Sequence, residues 1–245
     1  MKKIFAIFLC FLAVSSCSKH DPILPGERHD IFDTTDVKVV NKEVPNLSEQ
    51  EKDIFGNKDC EYRQDSLNNI WHGEKKIYDG FATDSVVKGN QSPTCIGQFI
   101  YAGLSTGEVV KINTTNKNVV WVADVYRGNN LTGGAAVVDV VAHVGVDKNY
   151  VLAGGLGDAF CKLNANSGNK IWCVNISVPV DFIVVDNFAF VVGTDNNLYA
   201  INTDNGSVYW KTAVKKQRVP KYDGKNIIVG KEKIDYKNEE HIKHC

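Results

Sequence analysis

The chain is 245 residues long and sets 28 Lys and Arg against 29 Asp and Glu, a formal net charge of −1. That balance removes the electrostatic basis for a nucleic-acid or other polyanion partner. A hydrophobic content of 43% is enough to fill one packed core of moderate size, and no apolar run after residue 17 reaches the roughly 20 residues of a membrane-spanning helix.

Taken from its start, the chain reads Lys2, Lys3, an apolar run from Ile4 to Val14, then Val14-Ser15-Ser16-Cys17. A basic start, a short apolar stretch and small residues are the layout of an export signal. The ending resembles the bacterial lipobox, whose cysteine is acylated and becomes the mature N-terminus; an ordinary signal peptide with an incidental cysteine is the alternative. Residues 1–16 are therefore expected to be a lipoprotein signal peptide, with Cys17 the lipidation site. More than one acyl chain would hold the protein stably on a membrane without crossing it. Ser18 at the next position resembles the sorting signal for the outer membrane. Residues 17–60 read as a lipidated N-terminus and polar tether. Once Cys10 and Cys17 are set aside, Cys60, Cys95, Cys161, Cys173 and Cys245 remain. That is an odd number for an oxidising compartment, so one at least is expected to be free.

From residue 61 to 230 the chain repeats itself. Three segments align without gaps on a tryptophan: Val109-Val110-Lys111-Ile112-Asn113 to Trp121, Phe160-Cys161-Lys162-Leu163-Asn164 to Trp172, and Leu198-Tyr199-Ala200-Ile201-Asn202 to Trp210. Gly168 and Gly206 fall at the same offset in the intervening turns, where a hairpin needs positive φ, and Lys117 is the imperfect copy. Each unit thus holds a β-hairpin. The runs Phe99 to Gly103, Tyr150 to Gly154 and Phe188 to Gly193 add a third strand. Stretches such as Ala135 to Val141 and Phe182 to Val185 are expected to supply a fourth. Four antiparallel strands at this spacing are the cadence of a propeller blade. Trp71 reads as the outer strand of an earlier blade and Val219 to Gly230 as the opening strands of a later one, followed by a polar tail over 231–245. The fold expected is all-β, a propeller of four-stranded blades with about four blades' worth of strands. Trp121, Trp172 and Trp210 are expected to pack between neighbouring sheets.

The run Tyr199-Ala200-Ile201-Asn202-Thr203-Asp204-Asn205-Gly206-Ser207-Val208-Tyr209-Trp210 resembles the repeat of quinoprotein-type (PQQ-like) β-propellers. With the lipoprotein start and Leu24-Pro25-Gly26-Glu27-Arg28, it resembles the BamB family of outer-membrane assembly lipoproteins, in a shortened, alphaproteobacterial form. The resemblance implies a non-enzymatic scaffold on the periplasmic side of the outer membrane that assists insertion of β-barrel proteins. Its partners would be a BamA-like machine and the barrel substrates. No cofactor is implied for that role. Family propellers have eight blades, so closure would require a small ring, self-association or another protein, unless the chain is a truncated remnant. An open half-ring would leave an apolar sheet face at each end. The alternative class is a quinoprotein-like dehydrogenase or ligand sensor. Against it, the adjacent cysteine pair typical of such enzymes is missing.

Other constellations carry less. Gly154-Gly155-Leu156-Gly157 precedes a strand and lacks the helix N-terminus of a phosphate loop. His241-x-x-His244-Cys245 has metal-ligand types but too few of them, and His29, His72 and His143 stand apart from any nucleophile motif. Cys161 and Cys173 are more informative. If Asn164 faces Lys170 across the turn, Cys161 faces Cys173, and both a cross-strand disulfide and two reduced, buried thiols fit that register.

Overall fold

The computed structural model describes residues 37–56, 60–83, 92–126 and 137–240. Cys17, His29, the segment Leu24 to Arg28 and the His241 to Cys245 cluster lie outside the described residues. Among the described residues eighteen strands form five antiparallel sheets that follow one another along the chain. The first has three strands: β1 (Tyr62–Gln64), β2 (Ile70–His72) and β3 (Lys75–Tyr78). The second has β4 (Thr94–Ile96), β5 (Phe99–Gly103), β6 (Glu108–Asn113) and β7 (Val119–Asp124). The third has β8 (Gly145–Asp147), β9 (Tyr150–Gly154), β10 (Phe160–Asn164) and β11 (Lys170–Val174). The fourth has β12 (Ile183–Val185), β13 (Phe188–Val192), β14 (Asn197–Asn202) and β15 (Val208–Ala213). The fifth has β16 (Lys221–Tyr222), β17 (Asn226–Val229) and β18 (Glu232–Asp235). Among the described residues there is no helix. Each sheet is a simple meander, the blade of a propeller.

Packing follows from strand alternation. Successive side chains point to opposite faces, so Val151 and Ala153 of β9 enter the seam with the second sheet while Leu152 enters the seam with the fourth. Four hydrophobic clusters fill the seams between consecutive sheets, the last joining Phe190 and Trp210 to Ile227 and Ile234. Middle strands such as β13 are buried along their whole length because both faces are covered.

The outer hairpins share one turn design. Asn113, Asn164 and Asn202 each accept, through Oδ1, a hydrogen bond from the backbone N–H two residues on, at 2.9, 2.9 and 2.8 Å. Four residues after each Asn the chain reaches positive φ: 61° at Lys117, 74° at Gly168 and 74° at Gly206. The fifth sheet repeats this, with Asp235 Oδ1 accepting from Lys237 N–H at 2.9 Å and Glu239 at φ 65°. The turn therefore occurs four times among the described residues. A β-bulge sits at the same place in each complete blade, at Lys111/Ile112, Lys162/Leu163 and Ala200/Ile201.

Several expectations change. The run ending at Val141 is not a strand over its described part; the first strand of that blade is β8, because residues 137–144 instead lie against the second sheet, with Val140 N–H bonded to Leu104 O at 3.1 Å. Lys170 faces Leu163 and not Asn164, since the bulge shifts the ladder by one residue, yet Cys161 still faces Cys173 beyond it. Trp71 lies on the central strand of its sheet, its indole held by Asp65 Oδ2 at 2.8 Å. The fold also extends past residue 230, because β18 pairs with β17 and buries Ile234 and Tyr236. Nor are the end faces apolar. Arg63, Trp71 and Lys76 share a row across the first sheet, the two cations 4.9 and 5.7 Å from the indole. Lys221, Ile228 and Lys233 share a row across the fifth, with Lys233 Nζ 3.0 Å from Asp223. Among the described residues no strand pairing or backbone hydrogen bond joins these two sheets.

Tryptophans close the seams. Trp121 Nε1 donates to Ala165 O at 3.1 Å, Trp172 Nε1 to Thr203 O at 3.1 Å and Trp210 Nε1 to Tyr236 O at 2.9 Å. Each acceptor is the residue just after the turn Asn or Asp of the next sheet. The rings lie against that same turn: a Cβ on Gly168 or Gly206 would come within 2.8 Å of the preceding indole. Two lysines reinforce the contact, Lys111 Nζ donating to Ala165 O at 2.7 Å and Lys162 Nζ to Thr203 O at 2.8 Å. Burial holds both ammonium groups below their ordinary range. Aromatic rings of Phe99 and Tyr150 lie 4.1 and 4.3 Å from them.

Truncating Trp210, 2% exposed, to Ala should cost about 3–5 kcal/mol in denaturant unfolding, the range for a buried aromatic; an unchanged midpoint would remove the seam from the account of stability. Lys117→Gly should stabilise by about 0.5–1 kcal/mol, since a left-handed residue other than glycine costs about 1–2 kcal/mol and glycine returns part of that in chain entropy. Gly206→Ala, measured in the same way, should move stability in the opposite direction.

Candidate functional site

A propeller offers its strand edges and connecting turns to other molecules, and residues 37–56 have taken several of those edges. The sequence reads this stretch as part of a polar tether, yet Val44 and Ile54 are each 2% exposed. It begins beside the outer strand of the fourth sheet, where Val40 N–H donates to Val208 O at 2.9 Å and Lys42 N–H to Tyr209 O at 3.1 Å. Val44 N–H then reaches Lys237 O at 3.1 Å, and Leu47 N–H the Tyr236 hydroxyl at 3.3 Å. From there it runs along the opposite edges, those of the first strands. Glu51 Oε1 accepts from Tyr222 N–H at 2.6 Å, Lys52 N–H donates to Val184 O at 2.7 Å, and Ile54 O accepts from Val146 N–H at 2.6 Å. Ile54 packs where a Cβ on Gly145 would lie 2.5 Å from its Cδ1, and Phe55 meets Phe182 edge-on at 5.4 Å. At β4 the strap is joined covalently, Cys60 to Cys95, with Cα atoms 5.7 Å apart.

The other cysteines expected to face one another, Cys161 and Cys173, are bonded across the third sheet with Cα atoms 4.1 Å apart. Cys245 lies outside the described residues. His143 is tied to Asp181 twice, Nδ1 to Oδ2 at 2.9 Å and its own N–H to Oδ1 at 2.7 Å, which links the loops before β8 and β12. His72 pairs with Glu61 at 3.0 Å and stacks on Tyr62. Gly154 to Gly157 forms the turn between β9 and β10. Among the described residues no group of three His, Cys, Asp or Glu side chains could hold a metal ion. A cleft of about 510 Å³ beside Val37 and Val40 is lined by Cys173, Asn175, Gly206 and Ser207, without a carboxylate or imidazole.

Among the described residues β7 and β11 take no strand partner on their outer edges, and they carry four of the exposed large apolar side chains: Val119 (45%), Val120 (44%), Val122 (45%) and Ile171 (51%). The matching edge of β15 is the one covered by residues 39–42. Sequence reasoning missed the strap, the Cys60–Cys95 pairing and the seam lysines. The recurrence of Lys ten residues before Trp, at 111 and 162, was the one visible sign of the last.

Blades of this kind have known counterparts. The family model described as outer membrane protein assembly factor BamB matches residues 56–232. The chain belongs to that family. A BamB of Legionella pneumophila is 22% identical over 157 residues, covering 63% of this chain and 41% of the relative. One of Kangiella koreensis is 19% identical over 134 residues, covering 55% and 34%. The chain thus spans about two-fifths or less of the length of these BamB relatives. Among solved structures, BamB from Moraxella catarrhalis aligns over 62% of this chain and 46% of its own, at 14% identity and a TM-score of 0.48. The quinohemoprotein alcohol dehydrogenase ADHIIG from Pseudomonas putida HK5 aligns over 74% of this chain and 40% of its own, with a TM-score of 0.53. At 11% identity that second likeness is one of fold.

Proposed function

We propose that the chain is a lipid-anchored scaffold, facing the periplasm from the outer membrane, that assists assembly and insertion of β-barrel proteins as the partner of a BamA-like machine. Membership of the BamB family over residues 56–232 carries this reading. Physical support comes from the outer edges of β7 and β11, which take no strand partner among the described residues. Unfolded barrel strands are extended and alternate apolar with polar side chains, and an edge with exposed valines can take such a strand by main-chain hydrogen bonding. The chain already seats an extended piece of itself, residues 39–42, on β15. The dehydrogenase alternative lacks comparable support, because the strap occupies the first-strand edges of four sheets and the cleft beside it has no acid–base pair. Cys17 supplies the anchor in this proposal.

The test is recovery of envelope proteins on the lipidated chain, tagged at its C-terminus, from detergent-solubilised membranes. The wild type should retain the BamA-like component and barrel precursors, while Val122→Lys with Ile171→Lys should lower precursor recovery about tenfold, an affinity loss of about 1.4 kcal/mol, without lowering thermal stability. Equal recovery on the double variant would remove the edges from the proposal; failure to retain the BamA-like component would overturn the scaffold role itself. Cys17→Ser should move the protein out of the membrane fraction, and a variant that stays there would show the anchor to lie elsewhere.

A further inference from the structure

The Cys60–Cys95 bond differs from the Cys161–Cys173 bond in what it joins. Cys161 and Cys173 are opposed residues of one hairpin, held by the β10–β11 ladder whether or not they are bonded. Cys60 ends the strap and Cys95 lies on β4, an edge strand of the second sheet. Along its course over the first strands the strap is held by two main-chain hydrogen bonds, at Lys52 and Ile54, by side-chain-mediated contacts of Ser48, Glu51 and Lys52 to Asp186, Tyr222 and Asp147, and by Ile54 and the half-buried Phe55. It passes β4 so closely at Gly56 that a Cβ there would fall 2.6 Å from Cys95 O. Access does not separate the two bonds, since Cys60 and Cys95 are partly exposed and Cys173 is exposed beside a buried Cys161; what separates them is that only the first ties the strap to a sheet edge.

We propose that the Cys60–Cys95 disulfide is a redox clasp on the strap: oxidised, it holds residues 48–56 across β4, β8 and β12; reduced, it frees them and leaves those edges open to another extended chain. An exported dithiol oxidoreductase is the class of reductant that fits. One of its thiolates attacks a clasp sulfur and breaks the S–S bond, and its second thiol resolves the mixed disulfide. Two electrons and two protons pass to Cys60 and Cys95, which become thiols, and the reductant becomes a disulfide. The clasp does not depend on the scaffold role, since it concerns only this chain's own edges.

Hydrogen exchange on the whole chain tests it, with dithiothreitol as the reductant and Cys60→Ser/Cys95→Ser as the clasp-free form. Release of the strap should speed exchange at the amides of Lys52 and Val146 about tenfold or more, the signature of local opening, while β9, β10, β13 and β14 keep their protection. Cys161→Ser/Cys173→Ser with the clasp intact should leave Lys52 and Val146 protected. Unchanged protection at those two amides after loss of the clasp would overturn the proposal. So would loss of protection throughout the molecule, which would make the bond a staple of the entire fold. If the clasp-free variant does not accumulate, graded reduction of the wild type yields the same opposing results.

Discussion

The seam between one sheet and the next is the contact on which this molecule depends. Each sheet alone is a small meander with at least one apolar face, the three inner sheets with two, and such a sheet has no stable existence in water. Stacking gives each face a neighbour, but apolar contact is non-directional and would tolerate sliding. The indole hydrogen bonds to Ala165, Thr203 and Tyr236 remove that freedom. They connect the outer strand of one sheet to the turn of the next, and the turn presents its carbonyl in a fixed direction because an Asn or Asp side chain organises it. Local turn chemistry thereby sets the placement of whole sheets, an agreement between levels that is expected of a well-specified fold.

What can be read in the sequence are those features repeated with the same residue types. Asn and Trp recur eight residues apart three times, so the complete blades are legible from spacing alone. The fourth turn is not, because Asp235 and Glu239 perform there what Asn and Gly perform elsewhere, and a motif sought by residue type passes over a substitution that preserves geometry. The bulges escape for a different reason: one extra residue beside a turn leaves no Gly or Pro mark, although it changes every pairing on the turn side. The strap is hidden because two deeply buried residues, Val44 and Ile54, among charged neighbours have no period. Spacing likewise holds no information on the pairing of Cys60 with Cys95, since neither lies in a hairpin whose register could be counted.

The first strands and the last strands of the blades have different fates. The first strands are crossed by the chain's own strap, which spends its polar backbone on the edges it covers, buries Ile54 and sets the half-buried Phe55 against Phe182. The last strands are treated unevenly: among the described residues β15 is covered by the strap, while β7 and β11 have no strand partner on their outer edges. Natural sheets usually blunt a free edge with charge or proline. Here valines and an isoleucine stand in that place, which is a liability for a free protein and an asset for one whose work is to hold extended chains.

The rows Arg63, Trp71, Lys76 and Lys221, Ile228, Lys233 have a further consequence. Repeat proteins whose two ends match are prone to join head to tail, and when the rotation between copies does not close, the product is a filament. In such a stack Arg63 of one molecule would meet Lys221 of the next, and like charges brought together at an interface oppose association, whereas Lys76 and Lys233 are already paired with Asp79 and Asp223. Arg63 and Lys221 thus make a head-to-tail contact between the first and fifth sheets less favourable than two apolar faces would be.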